Sequence, residues 1–325
     1  MARKLRVEFP GAIYHVINRG NYRADIFATA GARGAFTRCL EEACQKSGWR
    51  LHGYVLMRNH YHLALETPTG NLVDGMQWLQ GTFANRFNNL RRERGHLFQG
   101  RYKALLVEPG AALGQVCHYI HLNPVRAGVV TVAGLKEFHD SSYWQLWHPA
   151  DRPPYLDVHT ALAQAGGLAD TPAGRRQYEK FLAWQAAEGP AGRNAAYVSM
   201  SKGWALGSSA FKERLLRDYD PAEESRAWEA EGREELRAAR WAKLLEAGLG
   251  VLGHRAADLP CPPAAQPWKI ALIAYLKEST QASNAWLEQQ FGLTNPVYAS
   301  RLAGMARTSP VAAELLAQLR FKCKA

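Results

Sequence analysis

Residues 49–66, WRLHGYVLMRNHYHLALE, decide how the first part of the chain reads. WRLHGYVL (49–56) and HYHLALE (60–66) each have the length and apolar content of a strand. The three-residue connection Met57-Arg58-Asn59 is short enough to close them into a hairpin. Alternate side chains of a strand share a face, so His60 and His62 project together while Tyr61 points the other way. Two imidazoles on one face are a natural pair of ligands for a divalent metal. Alone, such a pair is more often two half-exposed strand residues, so its meaning depends on what surrounds it.

Upstream, AIYHVIN (12–18) is rich in Val, Ile and Tyr and runs into the turn signal Arg19-Gly20-Asn21, which reads as a strand. Residues 31–47 place Phe36, Leu40 and Ala43 on one helical face, and Gly48 stops that helix. Downstream, residues 71–94 form a long amphipathic helix striped by Leu72, Met76, Leu79, Phe83 and Phe87. It ends in the basic run Leu90-Arg91-Arg92-Glu93-Arg94-Gly95. RYKALLVE (101–108) is a fourth strand. The order β-α-β-β-α-β is the ferredoxin-like arrangement of an α+β domain with an antiparallel sheet.

A further helix is expected over 111–122, ending at Asn123-Pro124 because proline disfavours a helical residue before it. Tyr119 and Asn123 lie four apart and so share a face of that helix. A helix following the fourth strand of such a fold can lie across the sheet, bringing phenol and amide toward the two histidines. Read separately, Tyr119 is an ordinary packing tyrosine and Asn123 a helix-ending residue.

The net charge of +11 is unevenly spread. Residues 1–150 hold 18 Lys and Arg against 10 Asp and Glu, 151–265 hold 15 against 16, and 266–325 hold 7 against 3. The basic surplus therefore sits at the two ends, where it suits a polyanion such as nucleic acid or serves only solubility. Cys39, Cys44, Cys117, Cys261 and Cys323 form no C-x-x-C pair, which fits a reducing cytoplasm and argues against a zinc–cysteine site. MARKLRVEFPGAIYHV lacks the apolar core of a signal peptide, and no stretch is long and apolar enough to span a bilayer.

Beyond residue 150 the pattern changes. Pro153-Pro154 marks a domain boundary, and most of 157–247 reads as helices separated by polar loops. The mixed-sign stretch 221–247 is a solvated helix face. DLPCPPAAQP (258–267) is a linker. Three short helices follow, over 267–279, 283–291 and 296–306. The last two, parted by Gly292, suit a helix-turn-helix or a plain bundle. The expected organisation is a catalytic domain at 1–150, a helical middle region at 151–257 and a helix-turn-helix-like module at 266–325.

Four motifs occur in one order: HVINRGN (15–21), MRNHYHL (57–63), GHLFQGRYK (95–103) and YIHLNPVRAG (119–128). In this order they resemble the REP-associated tyrosine transposases, single-tyrosine members of the HUH class of single-strand endonucleases, over roughly residues 5–145. Two departures stand out: Arg58 where the family more often has proline, and Tyr61 where a smaller aliphatic residue is common. Neither touches the proposed ligands.

The resemblance implies that His60 and His62 hold Mg²⁺ or Mn²⁺, that Asn123 supplies a third ligand, and that Tyr119 is the nucleophile. It further implies DNA transposition by cleavage and strand transfer on hairpin-forming repeats of single-stranded DNA, through a 5′-phosphotyrosine. Arg19, Arg91, Arg92, Arg94, His96, Arg101 and Lys103 near that site are expected to track phosphates. Tyr22, Phe98 and Tyr102 offer faces for bases, and Arg126 caps its helix or contacts DNA. The C-terminal pair, with Tyr298, Arg301 and Arg307 on or near its second helix, resembles extensions of some of these transposases, and Arg301 is its expected DNA contact.

One nucleophile per chain implies sequential reactions or self-association. The expected location is the bacterial cytoplasm, on the nucleoid when DNA is bound. Two rivals remain: a domesticated single-stranded-DNA-binding protein that does not cut, and a water-using metal nuclease with His118 or His121 as an extra ligand.

Overall fold

In the computed structural model, residues 7–187, 200–201, 203–218, 230–261, 265–280 and 282–323 are described, with the side chains of 230–237 excepted. Two compact units form, Met1–Tyr219 and Asp220–Ala325.

The first unit opens with β1 (Ala12–Arg19), α1 (Ala30–Ser47), β2 (Arg50–Leu56), β3 (His60–Thr67), α2 (Leu72–Arg91) and β4 (Lys103–Val107). It continues with α3 (Ala111–Arg126), α4 (Ser142–Trp147), α5 (His159–Ala163), α6 (Pro172–Ala187), β5 (Ala205–Leu206) and α7 (Ser209–Asp218). The sheet order is β2-β3-β1-β4-β5. Each neighbouring pair among its first four strands is antiparallel, as the β-α-β-β-α-β order demands. The two-residue β5 adds a parallel edge to β4, so the whole sheet is mixed. So short a strand carries no alternation that a sequence could display.

The hairpin closes where the Met57 N–H donates to the His60 carbonyl at 2.8 Å. The pleat then sorts β3 to two faces. Tyr61 goes under the helices, its ring centroid 4.8 Å from that of Phe36, and the Gln80 amide donates to its hydroxyl at 2.6 Å. Phe36, Tyr61 and Phe83 are wholly buried there, each phenyl contributing about 1.5–3 kcal/mol by leaving water. α1 begins at Thr29, whose side chain accepts from the Ala32 N–H, and stops at Gly48 in the left-handed region (φ 64°). A Cβ at Gly75 would lie 2.0 Å from a Trp49 ring carbon, so glycine alone lets α2 rest on that indole. α2 ends at Arg91, short of the expected 94, because Arg92 turns left-handed (φ 55°).

α3 lies across β2 and β3, with α4 and α5 also against β2. The strands are thus covered on both faces and nearly all their residues are buried. α3 outruns its expected end and continues to Arg126 with Pro124 inside it. The proline removes one helical N–H near the end, and the Ala127 N–H still closes on the Asn123 carbonyl at 3.0 Å. Asn123 therefore belongs to the helix rather than ending it.

The expected boundary at residue 150 falls inside this unit, because the chain after it returns to the sheet. The Leu51 N–H donates to the Tyr155 carbonyl at 2.8 Å and the Asp157 N–H to the Leu51 carbonyl at 2.7 Å. Further on, Met200 reaches His15 of β1 and Ala205–Leu206 pairs with β4.

The second unit contains α8 (Ala230–Leu252), α9 (Pro267–Thr280), α10 (Asn284–Phe291), α11 (Pro296–Met305) and α12 (Pro310–Lys322). Residues 221–229 of the expected charged helix lie outside the described residues. Trp241, Leu245 and Leu249 of α8 share one core with Ile270–Leu276 of α9. The Pro-rich stretch around 258–267 therefore joins helices within a unit. α10 ends at left-handed Gly292, and α11 opens with the Asn295 side chain accepting from the Val297 N–H. α12, opened by Ser309 and Pro310, is additional to the three helices expected. Among the described residues no helix is long and apolar enough to cross a membrane.

Candidate active site

The face of the sheet opposite α1 and α2 carries the polar cluster. In register, Val55, His62, Ile17 and Lys103 form one row across β2, β3, β1 and β4, and His60 pairs with Arg19. The His60 and His62 rings stand 5.1 Å apart at 82°. Burial pulls the His60 pKa down; Arg19 lowers it further and a hydrogen bond with Asn123 opposes this. His62 lies well below its ordinary value through burial, then through His15, His60 and Arg126. Both imidazoles are consequently neutral near pH 7, the state in which a ring nitrogen can bind a metal.

α3 supplies the other half. Tyr119 is 8% exposed, and its ring meets His62 edge-on at 5.4 Å and His15 at 5.7 Å. The Arg126 guanidinium lies 5.0 Å from the Tyr119 ring centroid, so Arg126 covers the tyrosine rather than only ending the helix. One turn on, Asn123 reaches His60. Tyr119, Asn123, His60 and His62, each singled out in the sequence, are thus brought to one place. Among the described residues no group of three His, Cys, Asp or Glu side chains forms a metal site. The third donor available beside the two imidazoles is an amide.

Three neighbours have no assigned role in the sequence. His15 Nε2 lies 3.0 Å from His62 Nδ1, and its Nδ1 lies 2.7 Å from the Met200 carbonyl oxygen. Ser201 Oγ is 3.2 Å from the Tyr119 hydroxyl, and the Ser201 carbonyl accepts from Lys103 Nζ at 2.5 Å. The adjacency of β1 to β3 could have pointed to His15. No signal in the sequence shows residues 200–201 arriving here.

His118 and His121 do not join the cluster. Both turn away and are buried, each Nδ1 against the Tyr178 hydroxyl (2.9 and 2.8 Å), with His121 Nε2 2.9 Å from Ser142 Oγ. Phe98 and Tyr102 are buried as well, Phe98 against Tyr61 and Phe83, so neither offers a face for a base. Tyr22, 93% exposed, does. Arg91, Arg94 and His96 line an open cleft beside it, although Arg91 is paired with Glu93 at 2.9 Å. Arg19 donates to Gln99 at 2.5 Å, while Arg92 and Arg101 are exposed. Arg301 is exposed on α11 of the second unit.

Fold and cluster define an α+β domain with a histidine pair, a tyrosine and an amide gathered on one sheet face. Residues 9–123 match the family described as "Transposase IS200 like". The match ends at Asn123, so it covers the four antiparallel strands and α3 up to that residue. No curated protein matches the chain. Among solved structures, a REP-associated tyrosine transposase bound to a REP hairpin is similar at 16% identity and a TM-score of 0.38. That likeness covers 49% of this chain and 93% of that one. A crystal structure from Deinococcus radiodurans R1, assigned as a transposase, is similar at 21% identity and a TM-score of 0.27, covering 39% and 92%. With scores this low, neither likeness decides the chemistry.

Proposed function

We propose that the protein is a transposase that cuts and rejoins single-stranded DNA at hairpin-forming repeats, with Tyr119 as nucleophile and His60, His62 and Asn123 as ligands of Mg²⁺ or Mn²⁺. The observation that carries this reading is the meeting of the Tyr119 ring with His62 on the sheet face that also holds His60 and Asn123. The donor set fits the metal: two neutral imidazoles and an amide leave room for water and a phosphate oxygen. When bound, the ion supplies Lewis-acid stabilisation of the charge that develops on the scissile phosphate.

Tyr119 Oη attacks phosphorus, the bond to the 3′ oxygen breaks, and that oxygen leaves as a free 3′-OH. The phosphate stays on the enzyme as a 5′-phosphotyrosine, which conserves the bond for rejoining; water as nucleophile would lose it. The α3 backbone and the rings of His15 and His62 hold the phenol in place, which lowers the entropic part of the barrier. Arg19, Arg92, Arg94, His96, Arg101 and Lys103 would track the strand, and Tyr22 would stack a base. Arg301 on α11 would add a second contact with DNA. One nucleophilic tyrosine per chain requires sequential reactions or two subunits. The four motifs shared with the REP-associated transposases support the hairpin substrate and a cytoplasmic, nucleoid-bound setting.

A non-cutting binder would not need Tyr119 beside two histidines. The water-using nuclease loses its extra ligands, since His118 and His121 face Tyr178. The test is to incubate the full chain with 5′- and 3′-labelled single-stranded hairpins from the flanks of its own gene. A covalent protein–DNA band that needs Mg²⁺ or Mn²⁺ supports the proposal. Cleavage to free ends with no such band would favour the hydrolytic reading, and binding without cleavage the domesticated one.

A further inference from the structure

We infer that His15 is a positioning residue: held by the Met200 carbonyl, it fixes His62 in the tautomer whose Nε2 offers a lone pair to a metal ion. The inference rests on the proposed role of His62 as ligand.

The proton positions follow from the partners. A carbonyl oxygen only accepts, so at 2.7 Å from Met200 O the proton sits on His15 Nδ1. His15 is wholly buried; the groups facing it are His62, Tyr119 and the cationic Lys103, with no carboxylate among them. A second proton would leave a buried cation next to Lys103 with no carboxylate to offset it, so the ring carries one N–H. His15 Nε2 is therefore bare and must accept. The only proton that can occupy the 3.0 Å gap to His62 Nδ1 is that of His62 itself. Neutral His62 then has no proton left for Nε2. The chain of donation runs from His62 Nδ1–H to His15 Nε2, and from His15 Nδ1–H to the Met200 carbonyl.

His60 faces Asn59 and Asn123 instead. Its Nδ1 lies 2.7 Å from Asn59 Oδ1, and the Asn59 amide nitrogen donates to the Arg23 carbonyl at 3.3 Å, which fixes the orientation of the amide. His62 thus carries Nδ1–H and a bare Nε2. An outer hydrogen bond of this kind fixes ring and tautomer and commonly changes metal affinity by roughly 10–100-fold. The carbonyl anchoring His15 comes from residue 200, well beyond the segment 9–123 that matches the transposase family. The later part of the first unit therefore contributes to the site through Met200.

The test uses the full chain and two readouts. In metal-free protein, ¹⁵N NMR of the histidine side chains reports the His62 tautomer, and EPR titration with Mn²⁺ reports affinity. Wild type should show His62 as the Nδ1–H form. His15→Phe keeps a ring of similar size but no acceptor; it should shift His62 toward Nε2–H and weaken Mn²⁺ roughly 10–100-fold. His15→Gln, whose amide can both accept from His62 and donate to Met200, should restore tautomer and affinity to within a few-fold of wild type. A folded His15→Phe chain that keeps the Nδ1–H form and wild-type Mn²⁺ affinity would overturn the inference. So would wild-type protein with His62 in the Nε2–H form, which needs no variant to fold. A wild type that binds no Mn²⁺ but shows the expected tautomers would instead sink the metal reading alone.

Discussion

The Tyr119 ring stands edge-on to the His62 imidazole, centroids 5.4 Å apart and planes at 78°. One side chain comes from a helix and the other from a strand, so this contact depends on α3 lying over the hairpin. It places a nucleophile candidate directly beside a ligand candidate, and most of the chemistry proposed above follows from that placement.

If His60 and His62 hold the ion, His60→Ala and His62→Ala should each lower metal-stimulated cleavage by roughly 10²-fold or more. Asn123→Ala should cost less, on the order of tenfold, because water can replace an amide oxygen as ligand. EDTA should silence the wild type, and added Mg²⁺ or Mn²⁺ should restore it. Undiminished cutting by EDTA-treated protein would remove the metal from the scheme.

His118 and His121 give the fold an acid limit. Burial lowers their folded pKa values to about 4 and about 3, against an ordinary histidine value of 6.5. Below pH 6.5 the unfolded chain binds these protons and the folded chain does not, so stability falls as pH drops from 6.5 toward 4. Above pH 6.5 both states are neutral and the effect vanishes. Thermal melts across roughly pH 5–8 should show a plateau at the neutral end and a steep decline at the acid end. A flat profile would mean that these rings are protonated in the native state.

The Tyr178 hydroxyl serves both His118 and His121. Tyr178→Phe leaves at least one buried ring nitrogen without that partner, which should cost about 1–3 kcal/mol in urea unfolding. Since the network lies on the far side of α3 from Tyr119, the remaining folded enzyme should form its DNA adduct at nearly the wild-type rate. A large loss of adduct at full folding would mean that the network reaches the reaction.

Much of this site is legible in the sequence because its parts are local. The pleat alone sends His60 and His62 to one face, and helical spacing alone pairs Tyr119 with Asn123. What escapes is long-range. His15 meets His62 only because β1 inserts beside β3, and Met200 and Ser201 arrive from a segment with no motif. Phe98 and Tyr102 look like stacking surfaces among basic residues, yet they fill the core. Pro124 reads as a helix end although α3 passes through it, and the boundary suggested by Pro153-Pro154 ignores the return of that chain to Leu51.

The proposed division of labour gives a truncation test. A chain of residues 1–219 contains every proposed catalytic residue, whereas Arg301 lies in the second unit. On one labelled hairpin across a salt series, the truncation should retain adduct formation and lose affinity or target choice. Binding by both forms should weaken steeply with salt as counterions are displaced, and fully paired DNA should remain uncut. A folded truncation that forms no adduct at any DNA concentration would place part of the active site in residues 220–325.

The most direct measurement is to locate the covalent bond. Full-length protein is reacted with a single-stranded hairpin from its own flanks in Mn²⁺, digested with protease and nuclease, and mapped by mass spectrometry. The expected result is a nucleotide on Tyr119, with Tyr119→Phe binding the hairpin as tightly as wild type while cleaving it on the order of 10³-fold more slowly or not at all. A nucleotide on another tyrosine, or undiminished adduct in Tyr119→Phe, would contradict the central proposal.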